Sequence, residues 1–327
     1  MAMLPPLLMR ALAPAGPRAK LSIFIFHRVL PEPDPHLPWE PDAVQFDWVL
    51  GLIAGSFNLL PLGEAVRRLA AGSLPAAAAA ITFDDGYADN LNVAAPILKR
   101  HGVTAAFFIA TGFLDGGRMW NDDVIEAFRR VPRGIMDLEE FDLGIHEITD
   151  PASRVTAYGG VLRRLKYFDH DCRAGVAREI ARSCGLGPSP ELMLTSAQVQ
   201  ALRAQQMEIG AHTHSHPILE LMSDARAEEE MRVGRERLES LLGEAVELFA
   251  YPNGVLGKDF SVRHAQMARR LGFTAAVSTS AGAASRGADV FQLPRFTPWD
   301  RTPLRFALRC SLNLSRPSSE AGILPIS

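Results

Sequence analysis

A charge-free apolar run, residues 76–83 (Ala-Ala-Ala-Ala-Ala-Ile-Thr-Phe), stops at Asp84-Asp85-Gly86-Tyr87. Such a run suits a strand buried on both faces, as in a parallel sheet covered by helices. Ligands and catalytic side chains gather at the carboxyl ends of strands in α/β folds, so the sequence places Asp84 and Asp85 at a functional edge. Two adjacent carboxylates repel unless their roles divide, one binding a metal and the other kept ionised as a base. The competing reading is that one caps a helix while Asp85-Gly86 is an ordinary turn.

Metal ligands are then expected elsewhere, and His212-Thr213-His214-Ser215-His216-Pro217 supplies them, with three of the chain's nine histidines. His212 and His216 are four apart, so one turn of helix would put both imidazoles on one face. With Asp85 they form a two-histidine, one-carboxylate set that leaves positions for water and substrate. His214 points away from that face and is open to a substrate contact, a supporting bond or plain exposure. Further on, residues 245–250 form a short apolar strand running into Tyr251-Pro252-Asn253-Gly254. That turn could offer a backbone amide to an oxyanion, or be only a turn.

In this order the three motifs resemble the polysaccharide deacetylases, the carbohydrate esterase family four or NodB homology domain, over about residues 20–300. Thr82-Phe83-Asp84-Asp85-Gly86 is similar to the family's T-F-D-D-G, which implies Asp84 as catalytic base and Asp85 as metal ligand. His212-Thr213-His214-Ser215-His216 is similar to its H-[S/T]-x-x-H, whose outer histidines complete the triad. Residues 250–254 stand where the family often has R-x-P-Y-G, implying an oxyanion contact from the Asn253 backbone and a place for Tyr251 at the oxyanion or substrate. Ala250 replaces an arginine there and Asn253 a tyrosine, so the base needs another partner, for which Arg295 is a candidate alongside a plain surface role.

The family's late Leu-x-His acid is missing: the corresponding region reads Gln292-Leu293-Pro294-Arg295-Phe296. His264 falls in a segment that reads as a surface helix and is set aside. His27, ending the apolar run 21–26, resembles the Y-H-x-V opening of the permuted-motif branch, with Phe26 in place of tyrosine. The resemblance implies His27 as general acid, in competition with a strand-end histidine bonded to a loop. It also implies an N-deacetylase using one divalent ion, zinc first, with iron, cobalt or nickel also compatible. The substrate would be an N-acetylated glycan or its lipid-linked precursor. Hydrolysis of another amide such as a sugar formamide, and a non-catalytic glycan-binding protein, are the alternatives.

The expected fold is an α/β, (β/α) barrel, distorted or incomplete with seven or eight strands, in one domain over residues 1–327. Residues 113–190 show helical stretches without sheet rhythm and are expected to lie over the barrel mouth as an insertion. There Trp120 could wall a sugar site or anchor a core, and Trp299 carries the same ambiguity. Residues 62–71 and 90–101 read as helices, Thr195 with Gln198 as a capping box, and 223–243 as a long helix whose charges form a wet face. A tail from 315 is expected to be loosely ordered.

A net charge of −3 leaves no footprint for nucleic acid. Three cysteines, Cys172, Cys184 and Cys310, fit neither a disulfide framework nor a zinc knuckle. Residues 1–15 lack the apolar core of a signal peptide, so a cytoplasmic location is expected, at the inner membrane face if lipid-linked sugars are the substrate. Residues 4–9 could touch a membrane or a partner, but a poorly ordered terminus is the expectation. The oligomeric state stays open.

Overall fold

The computed structural model describes residues 4–187, 192–298 and 300–315. Its strands are β1 (Lys20–Phe26), β2 (Asn58–Leu59), β3 (Ala78–Phe83), β4 (Ala105–Ile109), β5 (Gly134–Asp137), β6 (Ile145–Ile148), β7 (Glu208–Ala211), β8 (Leu248–Ala250), β9 (Ala275–Val277) and β10 (Ala284–Ser285). The α-helices are α1 (Leu4–Leu12), α2 (Ala43–Ser56), α3 (Leu62–Ala71), α4 (Ala95–Arg100), α5 (Trp120–Arg130), α6 (Pro151–Leu165), α7 (His170–Ser183), α8 (Ser196–Ala204), α9 (Asp224–Leu242), α10 (Val262–Arg270) and α11 (Pro303–Ser315).

The main sheet runs β10-β1-β3-β4-β7-β8-β9, with β2 joining β3, and is parallel except for the β10–β1 pair. It is the curled, incomplete barrel that the sequence predicts. The remaining gap is spanned by residues 293–296, where Leu293 bridges Val277 of β9 and Phe296 bridges Phe24 of β1, both in parallel. Alternation along β3 divides the core. Ala79, Ile81 and Phe83 join the cluster packed under α2, α4, α8, α9, α10 and α11, whereas Ala78 and Ala80 line the tighter inner cluster with Ile23, Phe108 and Val277. Small alanine side chains let that inner face close. At the opposite end from the mouth, the Glu208 carboxylate that opens β7 accepts the Leu62 and Gly63 amides of α3, neutralising orphan donors at a helix start.

The insertion has a core of its own. Val124, Phe128, Tyr158, Val161, Leu165 and Ile180 pack there together with Leu30 and Leu37 from the loop after β1. Contrary to the sequence expectation it contains sheet, an antiparallel β5–β6 hairpin. The hairpin's weak signal has a physical cause: Ile135 and Ile145 are exposed, so only one face alternates toward a core. The amino terminus also departs from expectation, because 4–12 form a helix against α11 and α2 with Met9 buried. No helix among the described residues is long and apolar enough to cross a membrane. The expected loose tail lies largely outside the described residues, as does Trp299.

Candidate metal and catalytic site

The site is assembled at the carboxyl ends of β3, β7 and β8, from the motifs that the sequence singles out. Asp84 and Asp85 follow β3, and both are buried. The backbone turns sharply between them and Tyr87, with φ of 76° at Asp85 and 88° at Gly86. Thr213, His216 and Asn253 also hold positive φ, so four of the eight non-glycine residues with positive φ among the described residues belong to this site. Such conformations cost about 1–3 kcal/mol each and persist where surrounding structure fixes them.

His212 and His216 meet, but not on a helix. The segment after β7 is an irregular turn, and its two left-handed residues, Thr213 and His216, swing the imidazoles together with centroids 4.9 Å apart. The two imidazoles that the four-residue spacing pairs do meet, through a turn rather than a helix. The Ala250 carbonyl can only accept, so His212 Nδ1, 2.8 Å away, donates to it and leaves the Nε2 lone pair facing Asp85. Nε2 of His212 and of His216 each lie 3.4 Å from Asp85 Oδ1. That oxygen is buried with no hydrogen-bond partner. One ligand atom from each of the three residues falls within a 4.8 Å cluster. A buried carboxylate oxygen that has no hydrogen-bond partner and faces two imidazole nitrogens is a costly arrangement by itself, and one that a divalent cation satisfies. The donor set thus fits a metal.

Asp84 is handled differently. Arg295 reaches it with both guanidinium ends, Nη1 to Oδ1 and Nη2 to Oδ2, each at 2.6 Å, while Arg295 Nε donates to the Ser278 carbonyl. Burial would push the Asp84 carboxyl up, but Arg295 beside it outweighs burial and holds it below the usual range. Asp85 is likewise held well below that range despite burial, by the His212 and His216 side chains. Burial pushes His216 down to about 3, whereas His212, also shielded by burial, is raised by Asp84 and Asp85. Arg295 is 2 % exposed, so its surface reading fails. It supplies from residues 293–296 the cation that Ala250 does not.

The other sequence candidates separate. His27, half-buried at the end of β1, lies close enough for its charge to act on both Asp84 and Asp85. Asn253 sits in the turn beyond β8, its carbonyl taking the Thr279 hydroxyl at 2.6 Å. Tyr251 does not face a substrate: its ring stacks on Phe260 at 3.8 Å and its hydroxyl donates to the Phe291 carbonyl, because alternation along β8 turns it into the core. Trp120 lies under the Arg173 guanidinium at 4.8 Å and packs against the insertion's core, the anchor reading. His214 turns from the triad and shares a 3.0 Å hydrogen bond with the Thr111 hydroxyl. His264 is fully buried and takes part in the capping box of α10, so the surface reading of that position is corrected.

One supporting group was hidden in the charge run of α9. Glu230 accepts the His214 and Ser215 amides and the Ser215 hydroxyl, at 3.0, 2.7 and 2.6 Å. One turn on, Gly234 meets the same loop so closely that an added Cβ would sit 2.7 Å from Thr213 backbone atoms. The signal was available: Glu230 falls inside the buried stripe Ala227, Met231, Gly234 and Leu238.

At one mouth of the curled β/α barrel, a carboxylate-histidine cluster whose donor set fits a divalent ion lies beside a buried aspartate held by an arginine. The polysaccharide deacetylase family model matches residues 71–150 and 163–276, and the chain belongs to that family. Among solved structures it is similar to the Streptococcus pyogenes deacetylase PplD in complex with acetate, with 20% identity, 91% of this chain and 99% of that one covered and a TM-score of 0.59. IcaB from Ammonifex degensii gives 18% identity, 91% and 98% coverage and a TM-score of 0.59. A de-N-acetylase from Aggregatibacter actinomycetemcomitans gives 15%, 85% and 94%, and 0.52. At these identities the likeness is one of fold. No curated protein sequence matches the chain.

Proposed function

We propose that this polysaccharide deacetylase is metal-dependent and removes N-acetyl groups from an amino-sugar glycan or its lipid-linked precursor, releasing acetate and a free amine. The observation that carries the reading is the division of labour in the adjacent carboxylates: Asp84 is clamped ionised by Arg295, while Asp85 Oδ1 faces two histidine nitrogens without a partner. Asp85, His212 and His216 would hold one divalent ion, zinc first by ligand type, with iron, cobalt or nickel also compatible. When bound, such an ion polarises the amide carbonyl and acidifies the attacking water. Asp84 removes the water's proton, the Asn253 amide offers a hydrogen bond to the carbonyl oxygen as charge develops there, and His27 protonates the departing amine.

The test is metal analysis of purified protein beside acetate release from N-acetylglucosamine oligomers. Metal with release, abolished by Asp84→Asn while metal is retained, supports the reading. Bound metal without acetate from any substrate points to another acyl group such as formyl, and failure to take up metal on reconstitution to a glycan-binding protein.

A further inference from the structure

The loop that carries the carboxylate pair also grips the segment that carries His27. As the chain leaves β1 its backbone groups lose their sheet partners, and buried ones must be satisfied some other way. Asn90 Nδ2 donates to the His27 carbonyl at 2.8 Å, Asp89 Oδ1 accepts the Val29 amide at 3.2 Å, and Asp89 Oδ2 accepts Arg28 Nε at 2.8 Å. The Arg28 guanidinium in turn lies over the Tyr87 ring at 4.6 Å. Thus all three residues 27–29 are held by side chains from the two positions that follow Asp85 by four and five residues. Asn90 is fully buried and opens a stretch of wider π-helical turn, Asn90–Ala94, of the kind that often marks functional positions.

None of these contacts touches a reacting atom. From this geometry we infer that Asp89 and Asn90 are positioning residues that fix the His27 imidazole over the amine leaving group, joining proton donor, base and metal ligands into one rigid unit. The inference rests on the deacetylase reading, in which His27 is the acid. Its consequence is selective. An amide needs its departing nitrogen protonated, whereas an aryl acetate expels a phenolate that needs no proton. Loosening the grip on His27 should therefore harm amide hydrolysis and spare the ester.

The experiment compares metal-loaded wild type, Asn90→Ala and Asp89→Asn on N-acetylglucosamine oligomers and on 4-nitrophenyl acetate, with metal content measured for each. Asn90→Ala is expected to lower kcat on the amide about tenfold to a hundredfold, with KM, metal content and ester turnover within about twofold, as for a displaced general acid. Asp89→Asn, which keeps an acceptor for the Val29 amide, should show the same pattern more weakly and guards against a misfolded alanine variant. In a His27→Ala background Asn90→Ala should cost nothing further, because the two changes act through one group. Amide and ester rates falling in parallel, an unchanged amide rate, or additive losses with His27→Ala would each overturn the positioning role. A wild type that cleaves the ester but no amide sinks the deacetylase reading and this inference with it, and that result is read on wild type alone.

Discussion

Asp84 at the barrel mouth and Asp122 in the first turn of the insertion's α5 are both buried carboxyls, yet their surroundings drive them in opposite directions. Asp84 receives two guanidinium bonds and is held low. Among the described residues Asp122 receives the Tyr87 hydroxyl, at 3.1 and 3.2 Å, and burial pushes it up to about 7, with Arg28 offsetting only part of that. Burial therefore does not decide the protonation state; the hydrogen-bonded partner does. The carboxyl at the mouth keeps its charge because two guanidinium bonds outweigh its burial, and the carboxyl of the insertion is pushed toward its protonated form because one hydroxyl does not.

The sharpest break in that contrast is Asp84→Asn, which should lower kcat about 10²- to 10⁴-fold with metal retained, measured by acetate release and metal analysis. Arg295→Ala should come next, costing about 3–5 kcal/mol of unfolding free energy in urea titrations because it leaves a buried carboxylate unpaired. If it melts like wild type, the clamp does not hold the base.

For Asp122 the sign is opposite. A carboxyl whose folded pKa lies near 7 binds an extra proton in the folded state between about pH 4 and that value, so its contribution falls as pH rises through this window and is flat above it. Urea titrations at pH 5 and pH 8 should show Asp122→Asn losing less stability across the interval than wild type, by up to a few kcal/mol at about 1.4 kcal/mol per unit. An identical pH slope in both proteins would mean that Asp122 is ionised throughout.

Gly234→Ala should destabilise by about 1–3 kcal/mol, since the methyl would meet the backbone of Thr213 in the His212–His216 loop, and should weaken metal uptake in a competition titration. The smallest effect is expected from Ile135→Thr on the exposed hairpin, within about 0.5 kcal/mol by thermal melting.

What the sequence made legible follows the same division. Residues whose chemistry is read from type and order, Asp84, Asp85, His212 and His216, meet in the structure, and α3, α8 and α9 fall where caps and periodicity place them. Residues whose role depends on a distant partner were ambiguous: Arg295 reads equally as a surface arginine until the segment 293–296 is placed beside β1. Tyr251 was misjudged because a three-residue strand gives too little alternation to say which side chain turns inward. The insertion was least legible, since its small core draws on Leu30 and Leu37 from far upstream.

The bridge formed by residues 293–296 sets an order of events in the making of the molecule. Asp84 emerges early from the ribosome and its guanidinium partner 211 positions later, so a growing chain can complete most strands of the barrel before its base is fixed. Closure of such distant pairs is slow and comes late in folding. A partly finished chain would hold the carboxylate pair and the histidines without the clamp on Asp84, which is completed only when residues 293–296 bridge β9 and β1.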